Sequence, residues 1–460
     1  MRIVTVFGFL AAVMTGAAVL SGFPSRLFAE ASSATSQTLC SKVFISGLDP
    51  KQAFDDHMAP EPGMFLISWA VVPDIDRVRG EVRTTIAGFY PRRSVYAAGR
   101  GCTLSYPGFE NPLPLGALPP VQALQPPLAG EQTVVATNPL VRAAIDRAFT
   151  DTSGDPLRTK AVVVLHEGRL IGERYAPGVG PGTPLLGHSI TKSVVNALVG
   201  VLARDGMLSV SDKAPVRAWQ SADDERQAIT IENLLRMNAG FGFDEGGGAS
   251  VATHMWYGEP DTADFAASAE LQSAPGTHWG YSSRSFTLLS RIVADRLKAN
   301  PQELRDFAWR ELFGPLGMTS FTPEFDATGT FMGAQASFAT PRDWARFGQL
   351  YLDDGVVAGK RILPEGWVKW TTTPTPGSGY GAGFWLNNTD EVIEPWNMRW
   401  GIPGAPRDAF MARGYMGQYI VIIPSARLVI VRFGQSHGKG AGIESVGALV
   451  SSVVEALKAP

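Results

Sequence analysis

Ser189-Ile190-Thr191-Lys192 opens the stretch Ile190–Arg204, where Val194, Val195, Leu198, Val201 and Leu202 recur on one helical face and Gly206 marks the end. Residues three apart on a helix share a face, so the hydroxyl and the amine come within reach of each other. A serine at a helix start also lies among unpaired backbone N–H groups, which stabilise a developing oxyanion. The amine accepts the hydroxyl proton once burial or a second cation lowers its pKa from about 10.4. Read singly the pattern is weak: about one Ser-x-x-Lys is expected by chance in a chain this long. A serine there is also an ordinary N-cap. The helix around Lys192 is nearly all apolar, however, and a buried lysine needs a partner.

Working outward, residues 160–166 form an apolar run, Glu167-Gly168 a turn, and 169–175 an alternating run: a β-hairpin. Residues 419–423 and 428–433 repeat the idea around Pro424-Ser425-Ala426-Arg427, and 443–457 carry helical spacing. Strands at both ends with helical material between them predict one sheet assembled from chain-distant pieces. Shorter helices are expected at 231–237 and 285–297, and residues 241–258, with Gly246, Gly247 and Gly248 in a row, read as a loop.

Tyr281-Ser282-Ser283 follows the turn Ala274-Pro275-Gly276-Thr277 and precedes the second of those helices. There it can present its phenol to a cleft, where a neighbouring ammonium would favour the ionised form and let it shuttle protons. A core aromatic is the plainer alternative. Taken in order, Ser189-x-x-Lys192, Tyr281-Ser282-Ser283 and the strand Ala412-Arg413-Gly414-Tyr415-Met416-Gly417-Gln418 resemble the serine β-lactamase and penicillin-binding superfamily. Within it, residues 234–245, 274–283 and 414–424 are most similar to the 6-aminohexanoate-dimer hydrolase branch and related class C-like esterases. The resemblance covers residues 135–460. It implies an α/β (α+β) fold: a β-lactamase-like antiparallel sheet flanked by helices, with an all-α subdomain.

The resemblance further implies that Ser189 is the acylated nucleophile, Lys192 its base and Tyr281 the proton relay. The oxyanion would be held by the backbone N–H groups of Ser189 and Tyr415, with Ala412 as the alternative second donor. Gly414 and Asp244 would contact substrate, Asp244 by holding a free amine. No metal or cofactor is implied. Two positions depart from the pattern: Ser283 stands where Asn is usual, and Ala412 where Lys or His usually helps to bind the β-lactam carboxylate. Strand alternation is expected to point Arg413 away from the side its neighbours face. The expected activity is therefore amide or ester hydrolysis of a small substrate through a covalent acyl-enzyme. The alternatives are a catalytically silent sensor or scaffold and a β-lactamase or D-alanyl peptidase. Gly187-His188-Ser189 also resembles the start of a nucleophile elbow, but Thr191 stands where that turn needs a small residue.

The remaining chain sets the context. With 45% apolar and 18% charged residues and a net charge of -3, the 460 residues suit large cores and lack the basic balance of nucleic-acid binding. His254 and His278 lie in unrelated segments and match no zinc spacing. Residues 1–31 have the layout of a signal peptide: Arg2, then 3–20 almost wholly apolar or small, then Ala29-Glu30-Ala31 as a cleavage signal. Uncleaved, the same run nearly reaches across a bilayer, so membrane attachment is expected only in that case. Residues 35–106 read as a small β-rich module with strands at 64–72, 82–89 and 94–104, and 107–134 as a proline-rich linker to a hydrolase domain at 135–460. An exported, periplasmic or secreted protein can oxidise its thiols, and Cys40 and Cys102 are expected to be joined. Closing that loop is worth up to about 4 kcal/mol.

Overall fold

The computed structural model describes residues 23–150, 156–221, 223–243, 245, 250–393, 398–437 and 442–458. It begins with helix α1 (Phe23–Phe44), followed by strands β1 (Val71–Asp76), β2 (Glu81–Ile86), β3 (Phe89–Ala97) and β4 (Gly101–Leu104), which form an antiparallel meander. The helix lies across this sheet. Its buried face carries Ser32, Ser36 and Gln37 first and Leu39, Cys40 and Val43 towards its end. Small side chains let the helix approach the strands closely, and their polar atoms then need partners. Ser36 Oγ donates to the Val82 carbonyl and Gln37 Nε2 to the Cys102 carbonyl, both at 2.7 Å. Cys40 and Cys102 are disulfide-bonded, stapling helix to sheet.

Ala29-Glu30-Ala31 lies within α1, where Glu30 is buried and bonded to His254 Nδ1 at 2.7 Å. Two sequence readings of this region change. Residues 64–70 are not strand: Met64–Ile67 is a turn of α-helix and Ser68–Ala70 a 3₁₀ turn, with Met64 and Ala70 facing inward. Residues 94–104 hold parts of two strands, because Gly99 and Gly101 take left-handed φ and turn the chain back.

Beyond residues 107–138, which carry no helix or strand, come α2 (Pro139–Arg147), β5 (Thr159–His166) and β6 (Arg169–Tyr175). Helices α3 (Ile190–Arg204), α4 (Ser283–Leu297) and α5 (Pro341–Leu352) follow, then β7 (Trp385–Leu386), β8 (Phe410–Gly414), β9 (Gln418–Ile423), β10 (Leu428–Gly434) and α6 (Ile443–Lys458). The main sheet has the order β7-β8-β9-β10-β5-β6 and is antiparallel throughout. The two hairpins from opposite ends of the chain thus meet at the sheet centre, through Ile430↔Val164 and its neighbours.

Helices cover both faces. At Gly348 of α5 an added Cβ would come within 2.6 Å of Val429. At Gly172 of β6 it would come within 3.0 Å of Ile145 in α2. Gly172 pairs with Val164, and Val164 with Ile430, the neighbour of Val429, so α2 and α5 lie on opposite faces. The loop reading of 241–258 is corrected by a helix at Val251–Tyr257, whose N-cap Ser250 accepts from Thr253 N.

Glu324 joins the N-terminal unit to the rest. Its buried carboxyl accepts from Ser41 Oγ at 2.6 Å and from Cys102 N at 2.9 Å. Burial outweighs these bonds and pushes its pKa up to about 7. The folded state therefore holds this proton more tightly than the unfolded chain. Its stabilising contribution is present below the ordinary value of 4.5 and is lost as pH rises towards 7. Denaturant titration at pH 5 and pH 8 should show wild type losing stability on that rise, by an amount of order 3 kcal/mol for this group. Glu324→Gln should flatten the fall; an unchanged slope would exclude the assignment.

Candidate active site

Ser189 stands at the N-cap of α3, but its side chain makes no capping bond, so its hydroxyl is left for other partners. His188, immediately before it, has φ 48°, a left-handed conformation costly for a residue with a Cβ. One helical turn on, Lys192 is 1% exposed. Its Nζ lies 2.9 Å from Ser189 Oγ, 3.0 Å from Ser283 Oγ and 2.7 Å from the Ala334 carbonyl oxygen. Tyr281 completes the group. Its phenol is a hydrogen-bond partner of the Ser189 side chain, and Lys192 Nζ lies 5.0 Å from its ring centre. The structure therefore brings Ser189, Lys192 and Tyr281 to one place, from two segments about ninety positions apart in the sequence.

The electrostatics change one expectation. Burial, reinforced by the negative charge of Glu245, raises the Tyr281 pKa above its ordinary value, despite the opposing Ser189 bond and Arg413 charge. Tyr281 is a neutral phenol at working pH, not a phenolate favoured by the nearby ammonium. Glu245 was missed in the sequence because nothing in its loop marks it. Its carboxylate accepts from Ser283 N at 2.6 Å and so fixes the start of α4. The Ala334 carbonyl was equally invisible, since a backbone oxygen leaves no sequence signal. Asp244, the expected amine-binding residue, lies outside the described residues.

Ser283, standing where the resemblance would put Asn, is a buried hydroxyl accepting from Lys192. Arg413 is on the side of the site rather than away from it. It is buried, 5.3 Å over the Trp385 ring, and Trp385 in turn stacks on Tyr281 at 5.2 Å. Trp385 pairs with Met411, two residues before Arg413, so the face that alternation gives Arg413 is the one carrying this aromatic wall. Trp279, Tyr380 and Trp400 extend this aromatic wall, with Trp279 and Trp400 4.6 Å apart.

The opposite wall draws on the N-terminal unit. His57 stacks on His188 at 5.3 Å, and His188 meets Tyr415 edge-on at 5.9 Å. Tyr415 Oη donates to Glu61 at 3.1 Å. Burial and the positive charges of Lys42 and Lys192 hold His188 down to about pKa 3, so it stays neutral. Gly414 brings the end of β8 against the turn before Ser189: a Cβ there would lie 2.3 Å from the Gly187 carbonyl oxygen. That approach puts Tyr415 beside His188, the residue before Ser189. Gly414→Ala must push strand and turn apart, and kcat should fall on the order of 10²–10³-fold if the strand supplies an oxyanion donor. Wild-type kcat in that variant would rule the donor out. Among the described residues no group of three or more His, Cys, Asp or Glu could hold a metal ion.

A family model described as Beta-lactamase matches residues 146–446, well over half of the chain. The chain belongs to the Beta-lactamase family. Membership makes it a hydrolase-family protein of the serine β-lactamase and penicillin-binding superfamily. It is 25% identical over 294 residues to the 6-aminohexanoate-dimer hydrolase of Paenarthrobacter ureafaciens, covering 60% of this chain and 72% of that protein. Two solved structures share the fold. A putative 6-aminohexanoate-dimer hydrolase from Bacillus anthracis has a TM-score of 0.54 at 21% identity, covering 73% of this chain and 89% of that one. A family VIII carboxylesterase has a TM-score of 0.54 at 16% identity, covering 71% of this chain and 99% of that one. All of the Ser189 site falls within the Beta-lactamase match, whereas Glu61 and His57 lie before it.

Proposed function

We propose that the protein cleaves amide or ester bonds of small substrates through an acyl-enzyme on Ser189. The observation that carries this is the Lys192 amine at 2.9 Å from Ser189 Oγ, with the Tyr281 phenol on the same hydroxyl. In its neutral form Lys192 accepts the Ser189 proton as Oγ attacks the carbonyl carbon. The Ser189 and Tyr415 N–H groups receive the oxyanion. Tyr281 passes its own proton to the departing amine or alcohol and recovers one from Lys192. Water then reverses the sequence and releases the acid. Ser283 and the Ala334 carbonyl hold Lys192 in place throughout. Gly414 borders the acyl position, and Asp244 is assigned a substrate-binding role.

The aromatic wall from Trp279 to Trp400 favours an apolar or ring-bearing acyl group. Ala412 offers no charge to a β-lactam carboxylate, so penicillin turnover should be slow. The Cys40–Cys102 bridge supports an exported protein, since such pairs persist in oxidising compartments. A comparison of p-nitrophenyl butyrate, a linear amide and a penicillin on the same preparation tests the reading. Ester or amide turnover well above β-lactam turnover is expected. Preferred β-lactam turnover would make the protein a β-lactamase, and no turnover of any of them would favour a silent binder.

A further inference from the structure

Phe65, Leu66, Trp69 and Phe89 are 66%, 65%, 83% and 70% exposed, an unusual concentration of large apolar side chains in the open. They form one face. Met64 and Ala70 turn inward, so the helical geometry of Met64–Ile67 and Ser68–Ala70 throws residues 65, 66 and 69 outward. Ala87 N donates to the Ala70 carbonyl at 2.8 Å, and Ile86 pairs with both Val71 and Phe89, which brings Phe89 alongside.

Three further observations say what covers this face. Phe28, near the start of α1, packs on Tyr90 at 5.4 Å, so α1 begins at this same end of the module. Residues 3–20, almost wholly apolar or small, lead directly into it. Arg92, half-buried in β3, adds positive charge at the same end, whereas Arg26 is paired with Glu30. Aromatic and long aliphatic side chains gathered on one open face suit the headgroup layer of a bilayer.

We propose that the face formed by Phe65, Leu66, Trp69 and Phe89 rests in the interfacial layer of a lipid bilayer. Glu61, which bonds Tyr415 at the catalytic cleft, stands four residues before Phe65, within about 14 Å of chain. The membrane-resting face therefore borders the mouth of the cleft, and substrates would be met at the lipid surface.

The native cysteines are bridged, so a new cysteine can be labelled alone. Full-length Leu66→Cys and Val78→Cys carry an environment-sensitive nitrobenzoxadiazole label in vesicles of equal parts phosphatidylethanolamine and phosphatidylglycerol. Both side chains are exposed, Val78 at 98% on the β1–β2 turn, so neither change should disturb folding. The label at 66 should be blue-shifted and quenched by spin-labelled lipid, while that at 78 should show neither. Equal, unquenched emission at both positions would overturn the proposal. So would a shift at 66 that follows protein concentration and ignores the lipid quencher, which would assign the face to a second copy of the chain.

Discussion

Ser189→Ala should lower kcat for p-nitrophenyl butyrate by at least about 10⁴-fold, leaving only what binding and the oxyanion donors supply. The loss would be chemical rather than structural. Ser189 is half-buried, its hydroxyl caps no helix, and its removal should leave stability within about 0.5 kcal/mol of wild type. Lys192→Met would act differently. It should abolish turnover too, but it strips Ser283 Oγ and the Ala334 carbonyl of a buried donor, at a cost of about 1–3 kcal/mol. A thermal melt beside the rate assay separates the two. An Ala variant that keeps wild-type turnover would move the chemistry away from Ser189 altogether.

Tyr281→Phe should cost roughly 10²–10⁴ in kcat, the usual worth of one positioned proton donor. The ring packs against Trp385 and Tyr380, and phenylalanine keeps those contacts, so the melting temperature should barely move. Because burial and Glu245 keep the phenol protonated, its task is to deliver a proton to the leaving group. The deficit should therefore be large for an amide or alkyl ester, whose leaving groups need that proton. It should be small for p-nitrophenyl butyrate, whose leaving group departs as an anion. Equal losses on both substrates would contradict the relay.

How much of this was legible beforehand depended on the kind of signal. The β5–β6 and β9–β10 hairpins were readable because runs such as Val162-Val163-Val164 and Ile420-Val421-Ile422 are bounded by turns at Gly168 and Pro424. Helix α3 was readable from its spacing, and with it the Ser189–Lys192 pair. Helix α1 was not. Much of its buried face is polar, with Ser36 and Gln37 bonded to the sheet, and its buried apolar residues are confined to Leu39, Cys40 and Val43 near the end. Residues 64–70 misled by composition: Phe65, Leu66 and Trp69 suit a strand, yet they point outward from helical turns. Glu245 and the Ala334 carbonyl become site components only when α4 and the segment after Phe331 close around Lys192. No local pattern encodes that closure.

The central claim is a covalent acyl-enzyme on Ser189, and a fluorophosphonate probe followed by peptide mapping tests it most directly. One adduct of probe mass on the Ser189 peptide is expected, absent from Ser189→Ala and strongly slowed in Lys192→Met. An unlabelled folded protein, or an adduct on any other residue, would contradict the account.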